Sequence, residues 1–249
     1  MRSTTAVQVR WLSVSVAIVW LATGFLVLHP HYRSVGGAEL ARLGLPRFLM
    51  PLTCAAEVAI GLRVALGRPV TWLVALQVAM VAGFTAILGA TQPALLVHPF
   101  GILTKNIPLV AVLVTSWLLD REGWTGRAVW VLRAGMAAIW ITEGLLPKIL
   151  FQQPLELAVV AGSGLVPIDP ARFLTLLGVA QISSGVLALT LRGRWLRFVL
   201  WAQVAALVLL PLLVSWQDPL LWVHPFGPMT KNFPIVAGTA LLAFREAAC

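Results

Sequence analysis

The sequence predicts an all-α membrane protein made of two tandem copies of one four-helix unit, and three observations predict it. The 249 residues are 59% hydrophobic and 11% charged, with a mean hydropathy of +0.91, outside the range of ordinary soluble domains. Six apolar stretches approach the ~20 residues that a membrane-spanning helix needs. A polar segment also occurs twice. Residues 98–108 read HPFGILTKNIP and residues 224–234 read HPFGPMTKNFP, identical at eight of eleven positions across a spacing of 126.

The first span is expected at residues 11–28, preceded by Arg2 and Arg10. A basic start before an apolar run resembles a signal peptide, but the internal repeat requires this segment as part of the fold. The connection at residues 29–47 carries His29, His31, Arg33, Glu39 and Arg42 before Gly44-Leu45-Pro46, which predicts a short interfacial helix stopped by glycine and proline. Spans at 48–66 and 70–91 follow, then the first polar segment, then a short apolar run at 107–119. A tight turn, Asp120-Arg121-Glu122-Gly123, divides unit 1–122 from unit 123–249. The second unit repeats the order, with spans at 128–147, 172–191 and 195–215, a long connection at 151–170, the polar segment, and a short run at 233–244. The two short runs cover only about 18 to 20 Å of a ~30 Å hydrocarbon core. Either the bilayer is thin there or the polar segment completes the crossing.

The halves match beyond that segment. Residues 18–24 (IVWLATG) align without a gap on 138–144 (AIWITEG), setting Trp20 opposite Trp140, Gly24 opposite Gly144 and Thr23 opposite Glu143. Glu57 falls opposite Gln181, Gly61 opposite Gly185, and Gln77 opposite Gln203. Each unit has an even number of spans, so both enter the membrane from one side. Eight transmembrane helices then form two parallel four-helix repeats, side by side about a pseudo-twofold axis along the membrane normal.

Charge orients the chain rather than suggesting a nucleic-acid partner. The formal charge is +9, but the 18 basic residues are scattered among apolar runs without forming a stripe. Eleven of them fall on the side that carries both termini and seven on the other, which predicts cytoplasmic termini in a bacterial-type plasma membrane and both polar segments at the outer face. Lys105 and Lys231 stand on the side the rule disfavours. Cys54 and Cys249 are remote from each other, so dithiol chemistry within the chain is not expected.

The polar segments are the candidate ligand-binding sites. Pro99 and Gly101, with Pro225 and Gly227, break regular structure; Thr104 or Asn106 suits an N-cap, and Pro108 a first helical turn. A loop running into a helix start places free N–H groups beside Lys105 or Lys231, His98 or His224, and Asn106 or Asn232, an arrangement suited to an anion or a polarised carbonyl such as a quinone oxygen. The bland alternative is equally physical. Lysine snorkels, histidine bonds a backbone carbonyl, and asparagine caps. Glu57 and Glu143 lie in apolar spans and must be paired or protonated, with Lys105, Lys231 and Lys148 as partners for an ion pair or a proton relay. Gln77 and Gln203 read as interhelical hydrogen-bond glue. His98 and His224, one in each polar segment and without a second ligand beside it, assign no metal. No catalytic residue is assigned, because no P-loop, dinucleotide, nucleophile-elbow or zincin motif occurs.

Trp20 and Gly24 in the first span, Gly44-Leu45-Pro46 before the second, and residues 222–234 (WVHPFGPMTKNFP) before the last resemble the DoxX-like membrane proteins. The likeness covers nearly the whole chain as two tandem units. The first copy departs at Leu96, where the second has Trp222. The resemblance implies four-helix units and a place in redox assemblies, since the family is named from a subunit of a thiosulfate:quinone oxidoreductase and related units accompany nucleotide-dependent oxidoreductase domains. It transfers no catalytic residue. Three roles follow as expectations: a membrane subunit of a redox system binding a quinone or small anion, a scaffold recruiting a soluble oxidoreductase, or a small-solute carrier, each in contact with membrane lipid.

Overall fold

In the computed structural model, which describes residues 2–248, the chain is helical, with no strand among the described residues. Cys249 lies outside them. The first unit contains α1 (Arg2–Phe25), α2 (Pro30–Arg42), α3 (Leu49–Leu66), α4 (Thr71–Thr91) and α5 (Asn106–Glu122). The second repeats that order with α6 (Gly126–Leu145), α7 (Pro154–Gly162), α8 (Pro170–Thr190), α9 (Gly193–Gln217) and α10 (Asn232–Ala248). The short helices α2 and α7 occupy the two long connections. His29 starts α2 by accepting from the His31 N–H at 3.2 Å, and Gly44, at φ 67°, follows its end.

Among the described residues, six segments are long and apolar enough to cross a membrane: Thr5–Leu28, Leu49–Leu66, Thr71–Thr91, Gly126–Leu150, Pro170–Thr190 and Gly193–Gln217. The first begins earlier than the apolar run suggests, because Thr5 to Arg10 continue the helix. Pro147 does not stop the fourth. Its missing N–H is absorbed by a π-turn at Leu146–Leu150, which Gln152 ties to Lys148 O at 2.8 Å and to Ala171 O at 3.0 Å.

The packing differs from two closed bundles side by side. α1, α5, α6 and α10 pack on one another at the centre, with α3 against α1, α8 against α6, α4 against α5 and α9 against α10. Leu12, Leu109, Val112, Leu132, Met136, Ile235 and Leu241 are buried in this core. The reason lies in the shortness of α5 and α10. At 17 residues each they reach only about 25 Å, and as central helices they contact protein rather than lipid, so buried Thr115, Ser116 and Thr239 are tolerated along them. α3 and α4 barely meet.

Small residues set the close helix pairs. A Cβ on Gly144 would lie 2.5 Å from Gly178 O, and one on Gly24 would lie 2.8 Å from Cys54 O. Small-residue contacts of this kind let membrane helices approach closely. Gly144→Val is therefore expected to force α6 from α8 and to destabilise the protein by about 1–3 kcal/mol, read as an earlier thermal unfolding midpoint in detergent. An unchanged midpoint would contradict this packing. At the far end, buried Arg133 donates to Ala188 O and Leu191 O, closing the carbonyl end of α8.

Candidate functional site

Each polar segment is a turn followed by one helical turn that runs into a central helix. Gly101 N donates to His98 O at 3.0 Å and Gly227 N to His224 O at 3.0 Å, with the glycines at φ 67° and 56°. Only glycine takes that conformation without strain, and at Gly101 a Cβ would also approach Glu143 Oε1 to 2.9 Å. The histidines hold the same turns. His98 Nδ1 accepts from Phe100 N and His224 Nδ1 from Phe226 N, each at 3.3 Å. Burial pushes both imidazoles down to about 4, helped by Lys105 at His98 and by His98, His31 and Lys231 at His224. Both are neutral at pH 7 and carry their proton on Nε2.

The expected N-caps are used otherwise. Lys105 is the residue before α5 and makes no side-chain cap. The N–H groups of Lys105, Asn106 and Ile107 already bond Gly101 O, Leu103 O and Thr104 O, because a helical turn precedes α5. The Thr104 hydroxyl is thereby free to reach across and donate to Glu143 on α6. Asn106 donates to Thr85 Oγ1 on α4 at 2.7 Å.

The lysines are exchanged. Lys105 Nζ donates to Pro228 O in the second segment at 2.8 Å, and Lys231 Nζ donates to Ile102 O in the first at 2.8 Å. Ile102 and Pro228 hold equivalent places in the two segments. Each unit thus clasps the other through a buried ammonium.

Two cavities flank this clasp. One, of about 300 Å³, lies among α1, α2, α3, α4 and α5 and is lined by Trp20, Glu57 and Asn106 together with Phe226 and Lys231 of the other unit. The second, of about 210 Å³, is lined by Trp140, Glu143 and Asn232 of its own unit together with Phe100 and Lys105 of the first. Apolar side chains of α3 and α4, or of α8 and α9, form the outer walls. Asn106 and Asn232 therefore belong to separate cavities, the lysines each enter the opposite one, and His98 and His224 line neither.

Each cavity has a carboxylate facing the exchanged lysine, but from a different helix. Glu57 on α3 senses Lys231, while Glu143 on α6 senses Lys148 and Lys105. At the corresponding places stand Gln181 and Thr23, so the acid has changed sides of the cavity between the repeats. Lys148 does not pair directly with Glu143. Its ion pair is with Glu156 on α7, at 3.0 Å, because the π-turn swings the lysine toward that helix. Burial raises the Glu156 carboxyl above its ordinary range, and Lys148 opposes this.

Sequence reasoning missed Glu156, Gln181 and the two cavity tryptophans. Glu156 sits in a connection with no spanning signal. Trp20 and Trp140 read as markers of the repeat, and Trp20 also as part of the family resemblance and of an aromatic belt at the span ends, although both stand mid-span.

Tandem helical units, six membrane-length apolar helices and polar chambers at the centre define an integral membrane protein with an internal repeat. The sequence profile of the DoxX-like family matches residues 17–114 and again residues 137–240, and the chain belongs to that family. No curated protein and no solved structure matches it.

Proposed function

We propose that the protein is the membrane subunit of a redox system and binds a quinone-type amphiphile within its repeats. The observation that carries the reading is the pair of matched cavities, each with tryptophan, asparagine, a carboxylate and the other unit's lysine at its polar part, and helix walls rich in apolar side chains. An apolar chamber with a few convergent polar groups suits a flat ring with a hydrocarbon tail. A small anion is the weaker ligand, because Glu143 and Glu156 offset the charge of Lys105 and Lys148 in the second cavity and the N–H groups at the start of α5 are already bonded. In this reading the chain crosses a bacterial-type plasma membrane eight times as two parallel units, 1–122 and 123–249, related by a pseudo-twofold axis. α5 and α10 cross with the help of the turns before them, the termini are cytoplasmic, and the polar segments face outward.

The test is purification in mild detergent with mass spectrometry of the bound small molecules and proteins. A stoichiometric quinone is expected, lost from the Asn106→Leu, Asn232→Leu double variant. A bound soluble oxidoreductase without quinone would make the chain a scaffold instead.

A further inference from the structure

Equivalent residues in the two cavities differ in whether their polar atoms are met. In the first, Trp20 Nε1 donates to Gln77 Oε1 at 2.8 Å and the Asn106 amide to Thr85. In the second, the Gln203 amide N–H donates to Ser184 Oγ at 2.8 Å, its Oε1 lacks the tryptophan donor that Gln77 has in the first unit, and Trp140 Nε1 has no protein partner. Nor do Asn232 Oδ1, Gln181 Oε1 and Glu156 Oε2. These four residues are at most 8% exposed, and all line the second cavity. The first cavity has one such atom, Glu57 Oε2, on a half-buried residue. Most buried polar atoms in folded proteins are met, and the gathering of four unmet ones around one chamber points to a ligand that meets them.

Their polarity describes its head. Indole N–H only donates. Glu156 spends Oε1 on Lys148 and offers Oε2 as an acceptor. Gln181 and Asn232 can turn either end of the amide inward. The ligand must therefore accept from Trp140 and donate to Glu156. A quinone carbonyl only accepts, whereas a hydroquinone has two hydroxyls that do both. The head is also uncharged, since Lys105 and Lys148 already balance Glu143 and Glu156.

Building on the quinone-binding reading, we infer that the second cavity selects the reduced, two-hydroxyl form of the ring, with Trp140 donating to one oxygen and Glu156 accepting from a hydroxyl. The full chain in detergent, kept anaerobic, is tested by equilibrium dialysis with decylubiquinol, decylubiquinone and dioleoylglycerol. The quinol is expected to bind about tenfold more tightly than the quinone, the value of one charge-assisted hydrogen bond. Trp140→Phe keeps the ring and removes the donor, so it weakens both forms about tenfold, while Trp216→Phe, on an exposed face outside both cavities, weakens neither. Glu156→Gln turns oxygen toward Lys148 and NH2 toward the ligand, so the preference for quinol falls to parity or reverses. A purely structural Glu156 would not move it. Equal affinity for the two forms in the unaltered protein would overturn the inference and leave quinone binding intact. Tighter binding of dioleoylglycerol than of the quinol would assign the cavity to a neutral lipid and overturn it too. Failure of both redox forms to bind would remove the quinone reading and the inference together.

Discussion

Replacing Lys105 and Lys231 together with methionine is expected to lower the stability of the folded protein by about 3 kcal/mol. Each ammonium makes a 2.8 Å bond to a carbonyl of the opposite segment, and each lysine is buried. Methionine removes the desolvation cost of two charges, which offsets part of the loss. What remains is unfavourable. Ile102 O and Pro228 O lose their lysine donors at about 1–3 kcal/mol each, and Glu57 and Glu143 lose the cation they face. For a chain of this length the shift corresponds to roughly 6–12 °C in unfolding midpoint. The two single variants should not add to the double, because the lysines repel each other and hold the same pair of turns. Thermal unfolding in detergent of the two singles and the double checks this. A midpoint unchanged in the double variant would show that the clasp contributes nothing to the joining of the units.

That clasp explains where sequence reading stopped. The duplicated segment, the six long spans and the short helix at α2 were legible, because each rests on periodicity, composition or a glycine at a boundary, whereas Asp120, Arg121 and Glu122, expected in the turn between the units, continue α5 up to Gly123. The exchange of lysines was not. Two near-identical segments look like two independent sites until the units are set together, and only then does Lys105 reach Pro228 rather than a group of its own unit. The central position of α5 and α10 was hidden for a related reason. A short apolar run looks peripheral when measured against a bilayer, yet it suits a helix wrapped by protein. One signal was present and went unread. Thr23 opposite Glu143 and Glu57 opposite Gln181 are a single exchange, in which an acid leaves one wall of the cavity and appears on the other.

Glu143→Thr is expected to be among the most damaging single changes, and Gln181→Glu should rescue it. Glu143 is buried, accepts from the Thr104 hydroxyl and lies within electrostatic reach of Lys148 and Lys105. Without it, Glu156 alone is left to balance two buried ammonium groups in the second cavity. Breaking a buried charge pair costs about 3–5 kcal/mol, enough to empty the folded fraction of a marginal membrane protein. The first unit already solves the same problem differently, with threonine at position 23 and the acid at position 57. Glu143→Thr combined with Gln181→Glu writes that solution into the second unit. The net charge of the cavity is restored, and the double variant should regain all but about 1 kcal/mol of the stability that the single loses. Gln181→Glu by itself adds a third carboxylate beside Glu143 and Glu156, so it should destabilise while the combination does not. Unfolding midpoints of the three variants decide it. A double variant no more stable than Glu143→Thr would mean that Glu143 acts through its bond to Thr104 rather than through its charge, and that the two walls of the cavity are not interchangeable.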